Sequence, residues 1–427
     1  MTAQPNQQAP SRLGTLTAPL ARMTGRDVHE AHRVATPLEL LMDLAFVVAF
    51  GIAGEQFAHL IAEGHVVAGM GGFAFAMFGI VWAWINFSWF ASAFDTDDWV
   101  YRLTTMVQMI GVVIFALGLP DMFHSMDAGE HLDTRVIIAG YVVMRVAMLA
   151  QWLRVALTEP AYRATAITYV ITIAVAQAGW VVVAWLDLSL GASLAASAVL
   201  IVVEMLGPYL SETRQTGTPW HAHHIAERYG LLVIITLGEG VIGTVAAVGT
   251  AVGEAGWNFE AVAVVVAGIG LTFGLWWIYF ATDFGGLLHA RRNGSFGWGY
   301  GHLLLFPPLA AVGAGLHVAA YVLAHEAHIG MGTAVASVAG PVGAFMVVGY
   351  LLGTVLTHRL DAPHLGLVGA AVLVCVASVL LARSGLSMGG ALLVTTLAPW
   401  VVVLGIELRG RSEASAGEAL INTPTAG

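Results

Sequence analysis

Thr36–Ile61 reads TPLELLMDLAFVVAFGIAGEQFAHLI, a membrane-length apolar run that nevertheless holds Glu39 and Asp43. The start of a helix is written into its first residues. Thr36 suits an N-cap, Pro37 fits the first helical position, and Glu39 stands where a capping box reaches back to the N-cap backbone. Asp43 falls one turn further in on the same face. A carboxylate at the centre of a bilayer helix costs about 2.5–3.5 kcal/mol on insertion scales, so Asp43 calls for a partner on a neighbouring helix or for a job. Glu39 is expected to cap the helix.

Composition agrees with a membrane setting. Of 427 residues, 58% are hydrophobic and 10% charged, and the mean hydropathy is +0.79, which belongs to polytopic membrane proteins. The single cysteine, Cys375, sits in an apolar run and excludes a disulfide framework or a thiolate metal site. All 17 basic residues are Arg. With no lysine there is no Schiff-base cofactor of the retinal or pyridoxal kind. The net charge of -10 and the absence of a basic stripe or phosphate-binding glycine loop argue against nucleic acid and nucleotide hydrolysis.

Residues 1–35 are polar and arginine-bearing and are expected to form a disordered cytoplasmic tail, not a signal peptide. Twelve apolar stretches of about the ~20 residues a spanning helix needs then follow. They predict an all-α polytopic protein with a first six-helix half over 36–211, a second over 218–408, and a disordered tail over 409–427. Features recur in order between the halves: Thr36-Pro37 and Thr218-Pro219, then WAWINFSWFASAFDTDD (82–98) and LWWIYFATDF (275–284). A tandem repeat of this kind places a binding site or pathway between the halves. Arginine counts put both termini inside, since Arg102, Arg163, Arg214, Arg291, Arg292, Arg359, Arg409 and Arg411 share the tail's side, against Arg135 and Arg383 opposite.

Several residues stand out against this background. Arg145 is near the middle of the fourth span, where it must face protein or water, and Asp43, Glu204 and Glu239 are its candidate partners. Glu239 lies mid-helix between Gly238 and Gly240, which leave room for a backbone, a water or an ion beside the carboxylate. In TPWHAHHIAERYG (218–230), His221, His223, His224 and Glu227 have spacings that metal ligands can use, although a helix start at the membrane surface explains them as well. Glu227 and Arg228 are expected to pair with neighbours. The aromatics from Trp82 to Phe90 fit an interfacial belt, with Asn86 the exception because its amide shares a face with Trp82 and Trp89. Pro307-Pro308 predicts a kinked or broken ninth span, and Gly270/Gly274 and Gly349/Gly353 predict close helix packing.

Four of these stretches together resemble the bacterial low temperature requirement protein A (LtrA) family: TPLELLMDLAFVVAF, WINFSWFASAFDTDDWVYRL, HIAERYGLLVIITLGEGVI and LWWIYF. The resemblance covers about Thr36 to Leu408 and departs from the pattern at Met42 and Gly240. It implies an integral bacterial membrane protein linked to growth in the cold, with no established reaction. A fainter similarity, at Leu41–Val47 and Gly79–Asn86, is to the potassium channels whose first helix carries an F-S-D motif, although no Ser precedes Asp43 here. The expectation is therefore an inner-membrane protein that moves a cation, proton or small solute, with Asp43, Arg145 and Glu239 as its polar centre. Glu39, Asn86, Glu204, Glu227 and Arg228 would support that centre. No enzyme activity and no cofactor is expected. Lipid is the surrounding partner, and a second copy of the chain is left open. The alternatives are a structural or sensory part of cold adaptation, or a lipid-acting enzyme.

Overall fold

The computed structural model describes residues 21–28, 30, 33–253 and 256–421, with side chains to Arg409. Most of the expected N-terminal tail, and residues 422–427, lie outside the described residues. Among those described, fourteen α-helices and no strand are found. They are α1 Pro37–Ala62, α2 Val66–Phe94, α3 Trp99–Leu117, α4 Leu119–Ala128, α5 Arg135–Thr158, α6 Arg163–Trp185 and α7 Leu190–Arg214. After these come α8 Ala222–Gly253, α9 Phe259–Phe280, α10 Phe284–Ala290, α11 Ser295–Leu323, α12 Met331–Thr357, α13 Ala362–Arg383 and α14 Met388–Ile421. The short α4 and α10 extend the spans begun by α3 and α9, so twelve helical units are long and apolar enough to cross a membrane. The side on which α1 begins is called the near side below, and the other the far side.

The capping box forms as its sequence dictates. Thr36 Oγ1 accepts from the Glu39 N–H at 3.3 Å, and Glu39 Oε2 accepts from the Thr36 N–H at 2.7 Å. Neighbour relations recur between the two runs of six spans. In the first, α1 meets α2 and α3, α3 meets α5, α5 meets α6, and α6 meets α7; in the second, α8 meets α9 and α11, α11 meets α12, α12 meets α13, and α13 meets α14, while α14 also packs on α9 and α12 without an equivalent of that extent in the first run. The runs touch through α1 and α2 on one side and α8 and α11 on the other.

Glycine sets how closely α8 and α11 pack within the second run. A methyl group on Gly313 of α11 would stand 2.5 Å from the backbone of Glu239, and one on Gly243 of α8 would stand 2.4 Å from the Gly313 carbonyl. Only hydrogen fits at either place. Gly270 and Gly274 likewise let α9 lie against Thr396 and Pro399 of α14. Gly349 and Gly353 face open space instead, so that expected contact is not made. α11 runs unbroken through Pro307 and Pro308.

The described residues next to the first and last spans add structure of their own. Arg33 is buried, and its guanidinium donates to the Ser92 carbonyl and, at 2.7 Å, to that of Ala91. It neutralises the negative end of α2, where carbonyls lack partners. The Arg26 N–H adds a bond to the Ala93 carbonyl at 3.1 Å. At the other end α14 continues past Leu408 to Ile421 through SEASAGEALI, a run rich in good helix formers.

Candidate functional site

The seam between α1 and α8 carries the charged groups. On the near side Glu39 of α1 faces His224 of α8, with His224 Nε2 3.2 Å from Glu39 Oε1. One turn deeper Arg228 Nη2 donates to Asp43 Oδ1 at 2.6 Å, and Trp84 Nε1 of α2 donates to the same oxygen at 2.7 Å. Arg228 Nε stands 3.9 Å from Glu39 Oε1, so one guanidinium serves two carboxylates. All four ionisable side chains are fully buried. The guanidinium also lies 5.8 Å from the centre of the Trp84 ring and 5.9 Å from that of Phe87, within cation–π range. Asp43 Oδ2, Arg228 Nη1 and His224 Nδ1 have no protein partner. The cluster therefore keeps hydrogen-bonding capacity of the kind that buried water meets.

Glu239 lies three turns, roughly 16 Å, further along the same face of α8. It is 7% exposed, and among the described residues no hydrogen bond or ion pair reaches its carboxylate. Its open side is Gly51 of α1, where a methyl group would stand 3.4 Å from Oε1. The local sequence explains the position. Gly51 of α1 and Gly313 of α11 border the acid, whereas Gly240 faces Thr272 of α9 and Gly238 open space, and α1 brings no cation to this depth.

Arg145 belongs elsewhere. Its Nη2 donates to Glu204 Oε2 of α7 at 3.0 Å and to the Tyr141 hydroxyl. Glu204 also accepts from Trp82 Nε1 at 2.9 Å and from Gln177 Nε2 at 3.0 Å. One carboxylate thus ties α7 to α2, α5 and α6. That staple matters because α7 buries only 22% of its most apolar window. The expected single centre of Asp43, Arg145 and Glu239 is three separate sites, since Arg145 finds its counter-charge on α7 and Asp43 finds its own on α8.

Other expectations are redirected in the same way. His221 Nε2 meets the Glu30 carbonyl at 2.9 Å, His223 stacks on His289, and His224 is bound to Glu39. Glu227 is half-buried beside the Ala35 backbone. These four residues do not converge, and no metal-holding group of three is found among the described residues. Burial lowers the pKa of His221, while burial, followed by the Glu39 charge, pushes Asp95 up to about 6.

Trp82, Trp84, Phe87 and Phe90 are at most 1% exposed, so they are not an interfacial belt. Trp82 and Trp84 are instead the indole donors of the two carboxylate sites. Asn86 donates to the Trp82 carbonyl at 2.8 Å and, with Trp82 and Trp89, lines a near-side cleft between α2, α7 and α11. That cleft also contains Glu212, which escapes notice in the sequence because a carboxylate at the end of a span reads as solvated.

The family model of the bacterial low temperature requirement A protein (LtrA) matches residues 34–399, which include Glu39, Asp43, Arg145, Glu204, Arg228 and Glu239. The chain belongs to the LtrA family. No curated protein and no solved structure matches it significantly. Both carboxylate clusters and the glycine-thinned seam around Glu239 therefore lie within the LtrA region of the chain.

Proposed function

We propose that this LtrA-family chain moves a proton or a monovalent cation across the bacterial inner membrane, with Glu239 as the carboxylate that takes it up and releases it. The observation that carries this reading is the isolation of Glu239: a buried acid in mid-membrane, at the seam between the two runs of six spans, with no counter-charge. An intramembrane ionisable group without a partner is costly, and persists where it serves a pathway. Asp43 and Arg228 differ in being mutually compensated, so in this reading they hold the near-side end of the seam and set its electrostatics.

The near side is the cytoplasmic one in this account. Arg102, Arg163, Arg214, Arg291, Arg292, Arg359 and Arg409 lie at near-side helix ends, and Arg135 and Arg383 at far-side ends, in the sense of the positive-inside rule. A second reading, a non-transporting part of cold adaptation, is favoured by the three-donor staple on Glu204, which ties four helices together. Ion flux into proteoliposomes, native against Glu239→Gln, separates the two.

A further inference from the structure

The near-side cleft is a site of a different kind from the seam. Three aromatic pairs build its walls. Trp152 and Tyr169 stack with centroids 4.0 Å apart, Trp82 meets Tyr300 edge to face at 5.3 Å, and Trp89 meets Trp220 at 5.0 Å. Glu212 of α7 stands among them. Its Oε1 accepts from the Tyr169 hydroxyl and from Thr218 Oγ1, both at 2.9 Å, and its Oε2 accepts from the Thr218 N–H at 2.8 Å. Every one of these donors is neutral. They fix the carboxylate in place without cancelling its charge, and among the described residues no Arg or His forms an ion pair with it. Arg292, at the edge, is engaged by the Trp220 ring at 3.8 Å and by the Trp220 carbonyl at 2.7 Å.

We infer that this cleft binds a small organic ammonium ion, its charge facing Glu212 and its alkyl groups against the indole and phenol rings. Ring faces attract cations, most strongly where the cation sheds water, and a fixed carboxylate adds the counter-charge that an uncharged apolar ligand would not use. The space fits the class. The cleft encloses about 60 Å³, room for roughly four to six groups the size of a water molecule. Tetramethylammonium, the smallest quaternary ammonium ion, is the probe nearest that size. A sodium or potassium ion keeps its water and has no alkyl groups to lay against the rings, and an anion would face Glu212. The site does not depend on the transport proposal, because binding is read without a gradient.

The test is titration of the full chain in detergent with tetramethylammonium chloride, followed by calorimetry and by the emission of the lining tryptophans. Tert-butanol, an uncharged molecule of the same number of heavy atoms, and sodium chloride serve as comparisons. Saturable binding of tetramethylammonium alone is expected, weakened about ten-fold or more, worth ~1.4 kcal/mol, in Glu212→Gln. Trp89→Phe, which keeps an apolar ring but removes the indole face, is expected to weaken it as well, and serves if Glu212→Gln does not fold. Absence of saturable binding by the native chain overturns the inference. So does equal binding of tert-butanol, or unchanged affinity in a folded variant of either kind.

Discussion

Replacing Arg228 with Leu should be among the most damaging single changes in the chain. Arg228, Glu39 and Asp43 are all fully buried, and Arg228 is the guanidinium that compensates both acids. Its loss removes the 2.6 Å bond to Asp43 Oδ1 and leaves two carboxylates in the buried seam with Trp84, His224 and the Thr36 N–H as remaining partners. Removing one member of a buried ion pair costs about 3–5 kcal/mol, because an uncompensated charge stays behind. Asp43→Asn should cost less, about 1–3 kcal/mol, since its amide oxygen still accepts from Trp84 and Arg228 keeps Glu39. Neutralising all three, as Glu39→Gln, Asp43→Asn and Arg228→Met, should recover much of the loss. Unfolding in mixed detergent and dodecyl sulfate micelles, followed by tryptophan emission, gives the comparison. An Arg228→Leu protein within about 0.5 kcal/mol of native would refute the claim that this guanidinium holds the seam.

Other expectations are more local. Gly313→Ala should cost about 1–3 kcal/mol, because the new methyl meets the Glu239 backbone, which cannot yield as a side chain would; Gly349→Ala, in open space, should be neutral or stabilise by ~0.5–1 kcal/mol, and thermal unfolding in detergent distinguishes them. Asp95 is raised to about 6 by burial and then by Glu39, so the folded state holds its proton more tightly than the unfolded chain, whose Asp titrates near ~3.9. Its contribution is whole below that lower value and is lost as pH rises through about 6. Asp95→Asn, which keeps an oxygen for the Asp97 N–H, should therefore melt above native at pH ~7 and level with it near pH ~4. Arg33→Gln should free the segment before α1 from the end of α2, seen as faster tryptic cleavage at Arg26 with the membrane spans intact.

What the sequence discloses and what it hides divide along a physical line. The capping box of Thr36 and Glu39 is legible because its partners are three residues apart, and the spans are legible because bilayer thickness fixes their length. Packing at Gly270 and Gly274 is likewise as expected, whereas Gly349 and Gly353 present the same spacing to no neighbour. Partner choice is where spacing fails. Nothing local tells Arg145 to take Glu204 on α7, or Asp43 to take Arg228 on α8, because these pairs depend on which helices lie side by side. Trp82 and Trp84 show the same limit. Composition reads them as surface aromatics, yet each spends its indole N–H on a buried carboxylate. Glu239 was visible from its flanking glycines, but its lack of a counter-charge follows only from the bare Gly51 across the seam.

Flux into proteoliposomes under separately imposed proton, potassium and sodium gradients, native against Glu239→Gln of matched stability, tests the central claim most directly. The account predicts flux of at least one of these ions through the native protein and its loss in the variant, since the amide cannot take up and release a proton or hold a cation by charge. Folded native protein that passes none of the three, or a Glu239→Gln protein that conducts as native does, would contradict it.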